Sequence, residues 1–162
     1  MPADYLQLIC VDLLGASAIA LDVTRTGNPN PVRQLVTHGE PVWDLGDHCE
    51  SQLAVWHGPI LHRQVAQGRV CQILPLSTFY VEIVRCVPVQ RDDGSAPSPD
   101  VLTDSADELN RDAWSLLTDL YVWAADRGCD EIDFGPAETV GPLGGIGGWR
   151  VAITVSLNDS GP

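Results

Sequence analysis

The segment Phe79 to Val89, Phe-Tyr-Val-Glu-Ile-Val-Arg-Cys-Val-Pro-Val, leaves the chain little choice but to build a sheet. β-Branched and aromatic side chains fill it, and these suit a pleated, half-buried surface. Side chains alternate between the two faces of a strand. Phe79, Val81, Ile83 and Val87 therefore share one face, and Tyr80, Glu82, Val84 and Cys86 share the other. Arg85 interrupts the apolar face near its end, and Pro88 lacks a ladder donor, so the last residues are expected to leave the sheet. The remaining elements are expected to pair with this strand or cover it.

Ahead of it, Pro2 to Thr26 reads as a helix, with Leu6, Ile9, Cys10, Leu13 and Leu14 at three- and four-residue spacing. Gly27-Asn28-Pro29-Asn30-Pro31 stops it. Val32 to Val36 and Gln52 to His57 are strand candidates, the second bending at Gly58-Pro59 and resuming at Ile60 to Arg63. Val65 to Leu74 is expected to be a loop over one sheet edge. After a polar connection from Arg91 to Pro97, Ser98-Pro99 reads as an N-cap followed by proline at the first helical position. Leu102, Ala106, Leu109, Ala113, Leu116, Leu120 and Ala124 then hold helical spacing. The outer face of that helix is expected to carry Asp104, Asp107, Glu108, Asp112 and Asp119, either in solvent or facing an acidic channel. Glu131 to Glu138 is a weak strand, Gly141 to Gly148 a glycine-rich loop, and Trp149 to Leu157 a strand with Val151, Ile153, Val155 and Leu157 on one face.

This order predicts an α+β fold: a single antiparallel-rich β-sheet with two long helices packed on one face. With 162 residues, one domain covers 1–162: a helix at 2–26, the sheet and long helix within 32–157, and a short tail at 158–162. No apolar run approaches the ~18 residues that would span a bilayer. The N-terminus lacks a charged segment and a cleavage-like site, so cytosolic synthesis is expected.

Charge narrows the function classes. The chain carries 22 Asp and Glu against 9 Lys and Arg, a net −13, and all nine cations are Arg. An acidic surface repels duplex phosphates, which weighs against DNA binding by charge neutralisation. The glycine loop does not fit a phosphate-binding fingerprint. It leads into a strand rather than a helix, Arg150 replaces the last Gly of a G-x-G-x-x-G beginning at Gly145, and no Walker lysine exists. The cysteines, Cys10, Cys49, Cys71, Cys86 and Cys129, form no C-x-x-C pair and are expected to be free, buried thiols. Asp47-His48-Cys49 with Cys71 or Cys86 leaves a metal or catalytic thiol site open, although only His48 and Cys49 are close in sequence. No catalytic residue, metal ligand or cofactor site is expected. Trp114, Tyr121 and Trp123 lie off the main stripe of the long helix and read either as a broad core face or as a subunit contact.

Four features in sequence then resemble a family. They are Trp43-Asp44 followed by Cys49-Glu50-Ser51-Gln52-Leu53; Val84-Arg85-Cys86-Val87 leading into Asp92-Asp93-Gly94 and Ala96-Pro97-Ser98-Pro99; the long acidic helix with Leu116-Leu117; and Gly141-Pro142-Leu143-Gly144-Gly145, then Gly147-Gly148-Trp149. Together they are similar to the head-to-tail connector family of long-tailed (siphovirus) actinobacterial phages, and within it to the tail terminators. The resemblance covers nearly the whole chain from Trp43 onward, with 58–77 departing most. It implies a non-enzymatic virion protein of the neck, synthesised and assembled in the host cytoplasm. A homo-oligomeric, hexameric ring would cap the tail tube and meet both the major tail tube protein and a head-side stopper or connector protein. Genomic DNA would pass through the lumen without sequence-specific binding, and no membrane would be involved. A stopper of the same neck, or a small cytosolic thiol- or metal-dependent enzyme using His48 and Cys49, remains open. Candidate interface residues are Trp114, Tyr121, Trp123, Asp92, Asp93, Gly144, Gly145, Gly147 and Gly148; the two loops holding the last six are expected to order only on assembly.

Overall fold

The computed structural model describes residues 3–43, 49–67, 70–90, 93–126, 132–143 and 145–156, without the side chains of 3–4, 62–74 and 143. Expectations for Asp47, His48, Asp92, Cys129, Gly144, Leu157 and the tail 158–162 lie outside the described residues, as does the side chain of Cys71.

Eight elements follow one another: α1 (Ala3–Ala20), α2 (Val23–Thr26), β1 (Arg33–Thr37), β2 (Gln52–Gln67), β3 (Val70–Cys86), α3 (Pro99–Asp126), β4 (Ile132–Leu143) and β5 (Ile146–Ser156). The five strands form one mixed sheet in the order β1-β2-β3-β5-β4. Only β1 and β2 run parallel; the other three pairs are antiparallel. The fold is therefore α+β, with β3 at the centre.

Residue alternation explains the core. Register places Ile83 beside Leu53, Val81 beside Val55 and Val151, and Phe79 beside Ile153, all on one face of the sheet. These side chains are buried in one cluster with Leu6, Cys10 and Leu13 of α1 and Leu116, Leu120 and Trp123 of α3. At about 1.5–3 kcal/mol for each fully buried large apolar side chain, this cluster is the main stabilising term.

The chain differs from its expected outline at several points. The N-terminal helix breaks at Leu21–Asp22, because the Asp22 carboxylate accepts the Thr24 N–H at 2.8 Å and caps a new short helix. Gly27 closes that helix in the left-handed region at φ 73°. Gly58-Pro59 produces the expected bulge, seen as a register shift between His57 and Ile60. Of residues 65–74, expected as a loop, 65–67 and 70–74 are instead strand: Gln67 pairs with Val70, and Ile60 through Gln67 run antiparallel to β3. The two runs satisfy each other's backbone groups, which a solvated loop would leave to water. The glycine-rich segment 141–148 is likewise mostly strand, with β4 reaching Leu143 and β5 starting at Ile146.

Helix α3 begins as expected: Ser98 Oγ accepts the Val101 N–H at 3.5 Å, and Pro99 is the first helical residue. Its acidic residues are not all in solvent. Asp112 is fully buried and Asp119 is half-buried, whereas Asp104 and Asp107 are exposed.

Candidate assembly surfaces

A buried polar cluster fixes α3 to the sheet. Arg85 stands on the helix-covered face of β3, where a guanidinium needs partners. Its Nε and Nη2 both donate to the Asp112 carboxylate, the latter at 3.0 Å, and Nη1 donates to the Pro29 carbonyl at 2.8 Å. Glu108 adds a second carboxylate 3.6 Å from Nε. Asn28 extends the network by donating to Asp112 at 2.7 Å and to the Glu108 carbonyl at 2.8 Å. Arg111 closes it by donating to Asn28 Oδ1. The bidentate fork is a geometry only arginine supplies. The break in the apolar strand face was the sequence signal for it; the partner Asp112 was not anticipated.

On the opposite sheet face, aromatic and charged side chains meet Glu40 of the β1–β2 connection. Trp56 stacks on Tyr80 with ring centroids 5.3 Å apart, and the Arg150 guanidinium lies 5.2 Å from the Trp56 ring. Arg150 Nε donates to Glu82 at 2.5 Å, and Nη2 donates to Glu40 on the connection. Burial pushes the Glu82 carboxyl above its ordinary value of 4.5, against the opposing pull of Arg150. The far end of the connection is tied down by a disulfide between Cys49 and Cys86, with a Cα–Cα distance of 5.8 Å. These two cysteines are therefore not the free, buried thiols expected; both are exposed and joined. Cys10 does match that expectation, and burial raises its thiol to about 11. Among the described residues no group of three or more His, Cys, Asp or Glu side chains is placed to hold a metal.

The three aromatic candidates on α3 separate. Trp123 belongs to the core stripe at i, i+4 and i+7 with Leu116 and Leu120, and its indole N–H donates to Asp12 at 2.8 Å. Trp114 and Tyr121, seven residues apart on the outer ridge, are 75% and 66% exposed. Tyr121 stacks on Phe134 of β4 at 5.0 Å, which holds its ring in place. Val122 continues this apolar ridge. Beside it an open cleft of about 560 Å³ runs between α2 and α3, lined by Arg25, Arg111, Trp114, Thr118 and Asp119 among others. Arg25 crosses it with a two-pronged bond to Asp119, one prong at 2.9 Å.

The described residues of the loop candidates make local hydrogen bonds. Asp93 accepts the Ser95 N–H at 2.8 Å, and hydrogen bonds from Ser95 lower its carboxyl below the usual range. Gln90 donates to the Gly94 carbonyl at 2.6 Å. Gly145 makes the β4–β5 turn at φ +87°, and its carbonyl accepts the Val87 N–H at 2.8 Å. Gly148 sits where β5 and β3 come closest. A methyl group there would lie 1.9 Å from the Ile83 carbonyl oxygen, and one on Gly147 would lie 2.9 Å from Val87 Cγ1. These two glycines serve close strand packing rather than loop freedom.

No helix among the described residues is long and apolar enough to cross a membrane. No family model and no curated protein matches this chain.

Proposed function

We propose that this chain is a structural protein of a phage neck, a tail terminator that closes into a ring on the tail tube. The observation that carries the reading is the outer ridge of α3. Trp114, Tyr121 and Val122 are exposed on the half of α3 whose other side, from Asp112 to Ala124, is buried. Large aromatic side chains are favoured anchors at protein interfaces, and two of them beside an exposed valine suit a neighbouring subunit. The resemblance to connector proteins supplies the kind of assembly, and the net charge of −13 suits a bore through which DNA slides. No chemical step is asked of any residue.

Mass measurement of the protein mixed with tail tube subunits tests this. A ring bound to the tube end is expected, and Trp114→Glu should abolish it while leaving the monomer folded. A protein that stays monomeric beside tube subunits would refute the terminator reading, and a ring that binds only the head-side connector would reassign it as a stopper.

A further inference from the structure

Beyond the sheet, β2 and β3 continue as a two-stranded arm. β1 stops pairing at Trp56, and β5 stops at Leu76. From Leu61 to Gln67 and from Val70 to Pro75 the two strands pair only with each other among the described residues. Six residue steps make this arm about 20 Å long. An isolated two-stranded ribbon is marginally stable in water, so such an arm gains most when a partner covers it.

Its charge is opposite to that of the rest of the chain. From Ser51 to Val81 there is no Asp or Glu, in a protein that has 22 of them, and Arg63 stands on the arm. Ile60 and Leu61 at its base are exposed. The start of α3 offers the complement. Asp100, Asp104 and Asp107 are exposed and make no ion pair among the described residues, and Val101 and Leu102 beside them are 44% and 48% exposed.

One molecule cannot join these two surfaces. Tyr121 stacks on Phe134, which is in register with Ile153 and through it with Phe79. Arg85 bonds Asp112. Moving along β3 from Phe79 to Arg85 therefore moves backwards along α3 from Tyr121 to Asp112. The start of α3 lies beyond the Cys86 end of the sheet, and the arm extends beyond the other end.

We propose that the arm of one copy docks on the acidic, partly apolar start of α3 (residues 99–107) in a second copy. The contact joins two different patches, so it is heterologous and can repeat around a closed ring. It rests on the ring reading above and adds a second pair of contacting patches to the Trp114 and Tyr121 ridge. Opposite charge gives the contact direction and register.

Charge reversal tests it, with assembly mass read by analytical ultracentrifugation at low salt and folding read by the melting temperature. Arg63→Glu alone and Asp104→Arg with Asp107→Arg alone should each weaken self-association at least about tenfold, since like charges across an interface cost several kcal/mol. Mixing the two variants should restore assembly, because each mismatched patch then meets its complement in alternating subunits. The three substitutions in one chain should restore it as well, which separates docking from a folding defect in the arm. Unchanged assembly in Arg63→Glu, or no rescue by either route, overturns the inference; if wild-type rings persist in that case, the ring reading survives with another interface. Loss of tube binding alone, with self-association intact, assigns the arm to the tube protein and also overturns it. A wild-type protein that is monomeric up to its solubility limit, with or without tube subunits, removes both readings.

Discussion

Truncating Asp112 to Ala should be one of the most damaging single changes available to this chain. The carboxylate is fully buried and accepts two bonds from Arg85 and one from Asn28. Its removal leaves a guanidinium in the core, a change that costs about 3–5 kcal/mol when a buried pair is broken from one side. Two contacts moderate the loss: Arg85 keeps the Pro29 carbonyl at 2.8 Å and gains weight on Glu108 at 3.6 Å. The lower half of the range follows, about 3–4 kcal/mol, out of a total stability on the order of 5–15 kcal/mol. In a domain of this size that is a fall in melting temperature of about 10 °C. Removing both charges behaves differently. Arg85→Met with Asp112→Leu should recover most of the loss, because two apolar side chains of similar volume replace the pair and no charge is stranded. Asn28 still donates to the Glu108 carbonyl in that variant. Urea unfolding of the wild type, both single variants and the double variant gives the coupling energy. A loss below about 1 kcal/mol in Asp112→Ala, or a double variant as unstable as the two singles added together, would refute the assignment of this pair as a desolvated, interdependent unit.

Three further outcomes follow from the geometry. Reducing the Cys49–Cys86 bond, which closes a separation of 37 residues, should cost up to about 4 kcal/mol and lower the melting temperature by about 10 °C; an unchanged melt with and without reductant would count against the bond. Glu82 holds its proton more tightly in the folded state, so its contribution is complete below 4.5 and is lost as pH rises through the raised folded value. Glu82→Gln removes that loss, so the variant should gain on the wild type as pH rises through this window, and a difference that is flat with pH would contradict it. Gly148→Ala should cost at least about 3 kcal/mol, because the methyl group meets strand backbone, whereas Gly15→Ala, with nothing within 4 Å in a helix, should gain about 0.5–1 kcal/mol; thermal melts that rank the two alike would disprove the close-approach account.

Sequence reading succeeded where a local signal decided the structure. Ser98-Pro99 and the stripe from Ala113 to Ala124 specify α3, and the alternation in 79–83 and 151–155 specifies which faces meet. It failed where the deciding partner is distant. Residues 65–74 mix apolar and polar positions with a single turn residue, Gly68, and become strands because each run pairs with the other. β1 pairs in parallel with β2, and its own five residues carry no signal for that direction. Five scattered cysteines admit many pairings, so Cys49–Cys86 had no sequence signature. Asp112 looked like one more acid on an acidic helix, and only its position opposite Arg85 distinguishes it from Asp104. At the assembly surfaces, Trp114, Tyr121 and Trp123 were grouped off the main stripe, and the sequence left core and contact open; Trp123 joins Leu116 and Leu120 in the core, whereas Trp114 and Tyr121 are exposed. The base of the arm, Leu61 to Arg63, was expected as strand, and its outer part lay within the segment expected to be a loop.

The length of β3 has a consequence for hydrogen exchange. Around Phe79 to Ile83 its amides lie between two paired strands, and Phe79, Val81 and Ile83 are buried in the core cluster. Exchange there requires opening of the whole domain, so those amides should report the global unfolding free energy. In the same strand, Val70 to Pro75 has one neighbour and no third strand among the described residues, so local fraying suffices. A single continuous strand thus spans the slowest and nearly the fastest exchange in the sheet. Slowing at its outer end alone, as protein concentration rises, would report contact between molecules without a label.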